Sequence, residues 1–295
     1  MTLADGPQGI RFPLDMKSPR FSPRMPGMAR LVLLLAALAF LAAPARSQNI
    51  YQVWWSPLLD LPALSGVDTQ LRAPFDPDDR IELRKGDIAV VENCLALTRR
   101  VDSGYRPATA RDSTPFGVLT GHCYTLAALK QAKAATESYV RDFTMTSGAL
   151  DDLPAMVGAE WCEAQLDTLL AANRAGVSWS EFTQGGRAFG EPSGYRVTVS
   201  SRDQIVVERR VGATGVVHDR RVSIMGRGDF SGDGIDDLLV QTTWRNGAEV
   251  GSTLFVVSRV AQGDPLRVVA TRGPLPDSRS ACGPAQPEEP EQPQS

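Results

Sequence analysis

Partway along this 295-residue chain the spacing of apolar residues changes from helical to strand-like, which constrains the fold more than any single motif. From Asp87 to about Asn173 the spacing is helical. Val90, Cys94, Leu97 and Val101 form one stripe, and Phe116, Leu119, Cys123 and Leu126 form a second. Thr114 and Pro115 make an N-cap and first-turn pair for the second helix, and Gly176 closes a third after Leu166, Leu169 and Leu170. From Tyr195 onward apolar residues alternate: Val197 and Val199, Ile205 and Val207, Val222 and Ile224, Leu239 onward, Phe255 and Val257, then Val268. These read as about six short strands joined by Gly, Asp and Asn turns. The expected architecture is α+β, a helical half followed by an antiparallel β-meander. The expected organisation is a signal segment (1–47), an extended segment (48–86), a helical part (87–177), a meander (178–272) and a disordered tail (273–295).

Between two of the expected strands lies an acidic, glycine-bearing loop, Gly228 to Val240. A calcium ion takes six to eight oxygens at roughly 2.3–2.6 Å, so a short loop must point every second residue inward around a sharp bend. Asp229, Ser231, Asp233 and Asp237 stand at loop positions one, three, five and nine. Gly234 follows the third ligand where the chain must turn, and the Ile235 carbonyl falls at position seven. Asp236 reads as a bystander that adds negative potential. An EF-hand needs a bidentate Glu at position twelve, and Val240 stands there, so the loop is not an EF-hand.

The loop resembles the FG-GAP or VCBS-type repeat, with its strand, its D-x-[DN]-x-D-G-x-x-D loop and a second strand opening on Asp-Leu. The resemblance covers about fifty residues, roughly Arg221 to Arg272, and Ser231 departs from it where Asp or Asn is usual. It implies calcium as a bound ion, held more weakly because a hydroxyl is a neutral ligand. No second copy occurs at any period, so the multi-copy propeller does not carry over. The competing reading is an acidic turn without an ion, since Asp and Gly favour turns for local reasons. Against it, each close carboxylate pair repels by about 1 kcal/mol even in a watery environment. With a dissociation constant of about 10⁻⁴ to 10⁻³ M, millimolar calcium would stabilise the fold by about 0.4 to 1.4 kcal/mol, which suits a local clamp better than a sensor.

Arg30 precedes an apolar run from Leu31 to Ala43 and small residues at Ala43, Ala45 and Ser47. This reads as a secretory signal peptide cleaved after Ala45 or Ser47, too short to span a bilayer. The polar, proline-rich residues before Met28 are unusual for such a segment, so Met25 or Met28 stands as an alternative start to Met1. The expected location is therefore periplasmic or secreted. Removing residues 1–47 takes away six of 31 Lys and Arg and two of 34 Asp and Glu, leaving 25 against 32 and a net charge of −7. That balance argues against nucleic acid or an anionic membrane as partner.

Four cysteines in an exported chain suggest disulfides. Cys94 and Cys123 lie on the stripes of two neighbouring helices and are the favoured pair, with Cys162 and Cys282 as a second. No spacing fits a zinc site. Histidine is limited to His122 and His218, and the elbows and loops that mark common hydrolases and nucleotide binders are missing. Trp54 and Trp55 read as anchors of an extended segment, with an aromatic binding platform as the other reading. The expectation is a non-enzymatic, exported, calcium-binding protein of binding or structural type, with a protein or glycan partner. The alternative is an envelope hydrolase whose carboxylates only the fold brings together.

Overall fold

A computed structural model describes residues 50–158, 165–184, 195–211, 216–246, 249–273 and 275. The signal segment, the tail beyond 275, Glu160, Trp161, Cys162, Glu163 and Cys282 lie outside these residues, so the second cysteine pair is not described. The described residues belong to one compact unit that begins at Gln48.

The meander forms as its alternation dictates. Strands β6 (Tyr195–Ser201), β7 (Gln204–Val211), β8 (Val216–Gly228), β9 (Ile235–Asn246), β10 (Glu249–Ser258) and β11 (Arg267–Arg272) follow one another in the sheet in sequence order, each antiparallel to the next. Two further pieces join this sheet. Strand β1 (Trp54–Trp55) pairs antiparallel with β8, and β5 (Glu137–Ser138) pairs parallel with the start of β9. The tryptophan pair thus anchors an extended segment: Trp54 sits opposite Arg227, and Trp55 Nε1 donates to the Leu61 carbonyl at 2.7 Å.

Both faces of the sheet are covered. On one, Ile205, Val207, Val222, Ile224, Leu238, Val240, Phe255 and Val257 pack with residues of α4 (Ala149–Asp152), α5 (Ala155–Gly158), α6 (Leu166–Ala175) and α7 (Trp179–Gln184). On the other, Met225, Leu239, Leu254 and Val256 join α1 (Val67–Arg72), α2 (Cys94–Asp102) and α3 (Ala110–Leu129). This second cluster also takes in Ile81, Leu83 and Val91 from β2 (Ile81–Lys85) and β3 (Asp87–Val91), which form a small sheet with β4 (Arg106–Pro107). Ile224 and Met225 serve different clusters because successive strand residues face opposite sides, and a bulge follows where the register with β9 shifts between Ile224 and Gly226.

The Cys94–Cys123 disulfide is present, joining the first turn of α2 to the middle of α3, where both residues are buried. Closing a loop with a sequence separation of 29 contributes about 3 to 4 kcal/mol in the chain-entropy account. Alkylation of unfolded, unreduced protein should therefore leave both cysteines unmodified in intact mass, and reduction should lower the unfolding midpoint. Labelling of both without reductant would disprove the bridge.

Several boundaries differ from those the sequence suggests. The second helix starts at Ala110 rather than after Thr114. Thr109 and Asp112 close a reciprocal capping box there, a stronger start signal than Thr114-Pro115, and Pro115 falls inside the helix. Asp87 to Val91 is a strand rather than the start of a helix, and Val90 is exposed rather than on a buried stripe. Gly86, at φ 85°, reverses the chain tightly enough for Lys85 to sit opposite Asp87. The 48–86 segment is only partly extended, since it contains α1 and the 3-10 turns Pro57–Leu59, Leu64–Gly66 and Pro77–Asp79. Gly176 does end its helix, at φ 72°, as expected.

Candidate metal loop at one end of the sheet

The acidic loop is the connection between β8 and β9, residues 229–234. Gly232 at φ 88° and Gly234 at φ 86° supply the two left-handed positions that turn it so tightly. The carboxylates then hold the turn by accepting backbone amides. Asp229 accepts from Gly232 through Oδ1 and from Gly234 through Oδ2, the latter at 3.1 Å. Asp237 Oδ2 accepts from Phe230 at 3.0 Å and Ser231 at 2.9 Å, and Asp233 Oδ1 accepts from Ile235 at 2.9 Å.

The five expected ligand positions therefore separate into two groups. Asp229 and Asp237 are buried, at 5% and 0% exposure, and stand at the base of the loop. Ser231 and Asp233 are exposed at its rim, and Ile235 is half-buried at the start of β9, opposite Glu137. Among the described residues no three His, Cys, Asp or Glu side chains already converge on one point.

The base nevertheless has a charge left uncompensated. Both buried carboxylates take N–H donors, and among the described residues no Lys or Arg pairs with either. Asp237 Oδ1 is buried without a hydrogen-bond partner. The Ser258 hydroxyl, close enough to lower the Asp237 pKa, likewise lacks a partner of good geometry. Burial pushes the Asp237 carboxyl above its ordinary value, against the lowering effect of Ser258 and the loop amides. Each carboxylate oxygen carries two acceptor sites, so an oxygen bonded to one amide keeps a lone pair for a cation. The donor set is all oxygen, as a hard cation requires. Asp229 and Asp237 are therefore the buried oxygen donors that could hold such an ion, with Ser231 and Asp233 exposed at the rim above them.

Asp236, which read as a bystander, is fully buried on the opposite face of β9. Ser138 Oγ donates to its Oδ2 at 2.9 Å, and Arg141 lies 3.4 Å from the same oxygen. Burial raises its pKa, while Ser138, Arg141 and Arg227 act to lower it. For both Asp236 and Asp237 burial disfavours the charged form. Each therefore weakens folding above its raised pKa and ceases to do so as pH falls through it toward the unfolded value.

A strap from Lys133 to Phe143 fastens the loop from outside. Lys133 and Asp229 exchange backbone hydrogen bonds at 3.0 and 2.9 Å, and Thr136 N donates to the Gly234 carbonyl at 2.8 Å. Behind the strap, Arg227 is nearly buried. It donates through Nη1 to the Val140 and Arg141 carbonyls, through Nη2 to the Phe143 carbonyl and Asp203, and stacks 5.4 Å from the centre of the Trp54 ring. Nothing in the local sequence around Arg227 or Asp236 marks these roles, because their partners stand from 24 to 98 residues away.

The remaining candidates for chemistry stay apart. Asp151 and Asp152 are exposed, Asp151 accepting from Ser180 Oγ. Burial alone lowers the pKa of His122, and Cys123 beside it is in the disulfide. A shallow depression of about 600 Å³ on α6 is lined by Asp167, Thr168, Ala171, Ala172, Ala175 and Val177, which offer a single ionisable group. Compared with family models, curated proteins and solved structures, the chain matches none.

Proposed function

We propose that this is an exported protein of binding or structural type, in which a calcium ion seated on the β8–β9 loop clamps one end of the sheet. One observation carries the reading: two buried carboxylates, Asp229 and Asp237, meet only neutral donors among the described residues, and one oxygen of Asp237 has no hydrogen bond of good geometry, with only the neutral Ser258 hydroxyl nearby. Burying charge without a counter-charge is costly, and a divalent cation offsets it. Asp229 and Asp237 would hold the ion from below, and Ser231, Asp233 and the Ile235 carbonyl would complete it. Export is supported by the Cys94–Cys123 disulfide, typical of oxidising compartments, and by a compact unit that begins at Gln48, next to the expected cleavage sites. The negative balance of the exported chain favours a protein or glycan partner over nucleic acid.

Thermal unfolding with millimolar calcium and with a chelator tests the clamp. Calcium should raise the wild-type midpoint by about 1 to 5 °C, the span expected for a site of this strength in a domain of this size. Asp233→Ala removes a rim ligand at an exposed position, so the variant should fold and lose the calcium response. Equal wild-type midpoints in the two conditions would rule the clamp out.

A further inference from the structure

Asp237 Oδ2 already accepts two backbone amides, those of Phe230 and Ser231. They fill its two acceptor sites, so only Oδ1 of this carboxylate is left to meet an ion. Oδ1 is buried without a hydrogen-bond partner, and the Ser258 hydroxyl beside this carboxyl is in the same condition at 2% exposure. The β9–β10 register explains why the two meet. Leu238 stands opposite Val257, and both pack into the cluster beneath α4 to α7. The next residues along the two strands, Asp237 and Ser258, therefore face the other side of the sheet together, as cross-strand neighbours. A hydroxyl and a carboxylate placed so would ordinarily satisfy each other. Here neither does so with good geometry, which leaves two neighbouring buried oxygens that a shared guest would satisfy.

The acidic loop by itself is also short of donors. Asp229, Ser231, Asp233, Asp237 and the Ile235 carbonyl give five positions, whereas a calcium ion takes about six to eight oxygens. The position that an EF-hand gives to a bidentate Glu is Val240, which packs into the cluster on the opposite face of the sheet. We propose, building on the calcium clamp, that Ser258 Oγ is a further ligand of the same ion, supplied by β10 rather than by the loop. The ion then joins three consecutive strands, through Asp229 just after β8, Asp237 in β9 and Ser258 at the end of β10. A neutral hydroxyl adds an oxygen without adding a charge to carboxylates that already repel one another. It stands outside any loop motif, because only strand pairing brings it to the site.

Titrating the unfolding midpoint with calcium tests the ligand, since the response reports affinity for the folded state. Ser258→Ala should stay close to the wild-type midpoint in chelator, having no well-formed hydrogen bond to lose, and should need about tenfold more calcium for the same rise. Ser258→Cys separates contact with the ion from support of Asp237. A thiolate binds cadmium, a soft ion of nearly calcium's size, so cadmium should raise the midpoint of this variant more than that of wild type. An ultraviolet sulfur-to-cadmium absorption should appear with it that wild type treated alike lacks. A wild type indifferent to calcium removes the clamp and this ligand together. A wild type that responds, beside a Ser258→Ala that responds at the same calcium concentrations, leaves the clamp standing and overturns the Ser258 assignment alone. Weaker calcium binding by Ser258→Ala without the cadmium absorption in Ser258→Cys overturns it too, and makes Ser258 a residue that positions Asp237.

Discussion

Arg227→Ala should unfold with a stability about 3 to 5 kcal/mol below wild type, the range for breaking a buried charge pair. The guanidinium is 7% exposed and satisfies three backbone carbonyls, those of Val140, Arg141 and Phe143, besides its 3.0 Å bridge to Asp203. Burial lowers its pKa, and Asp203 and Asp236 partly restore it, so the charge is held in place by its partners rather than by solvent. Removing it leaves carbonyls facing a cavity next to Trp54. Asp203 is 30% exposed and can rehydrate, which keeps the loss from exceeding the stated range. Arg227→Lys should recover little, because an ammonium cannot reach across the planar fork that spans carbonyls and carboxylate together. Chemical denaturation at neutral pH gives the comparison. A loss under about 1 kcal/mol, typical of exposed pairs, would mean that the strap and the β6–β7 turn are held by other contacts.

This network also explains how much of the fold the sequence disclosed. The six strands of the meander were legible because alternation is local: Ile205 and Val207, or Phe255 and Val257, face one cluster whatever lies across from them. The Cys94–Cys123 bridge was legible for a related reason, since both residues fall on apolar stripes of adjacent helices. Local pattern misled at Val90, which stands four residues before Cys94 and mimics a helical stripe, although Gly86 makes the segment a hairpin. What no local pattern carries is a contact between distant segments. Ser138 reaches Asp236 across 98 residues, and Arg227 reaches Val140 across 87. Hence Asp236 looked like a spare acid in the acidic loop, while in the fold it belongs to the opposite face of its strand. The loop's own glycines were readable, for the converse reason that a left-handed turn is decided within a few residues.

The second large effect lies in the helical layer. Trp179→Ala should cost about 3 to 5 kcal/mol, the range for deleting a large buried aromatic, because the indole is fully buried with Phe182 and Leu153 in the cluster beneath α4 to α7. Its face is met by Gly158 at the end of α5. A Cβ there would overlap Cζ3 and Cη2 of the ring and lie 3.0 Å from Cε3. Gly158→Ala alone should therefore destabilise by about 1 to 3 kcal/mol through overpacking, since a ring fixed on all sides cannot yield as a flexible side chain would. The two changes should not add. With the indole gone, the methyl of Gly158→Ala enters the space it vacated, so the double variant should be no less stable than Trp179→Ala alone. Chemical denaturation of the four proteins in the cycle measures the coupling directly. Simple additivity would show that α5 shifts away from α7 to accommodate either change, and that the glycine is not there to admit the ring.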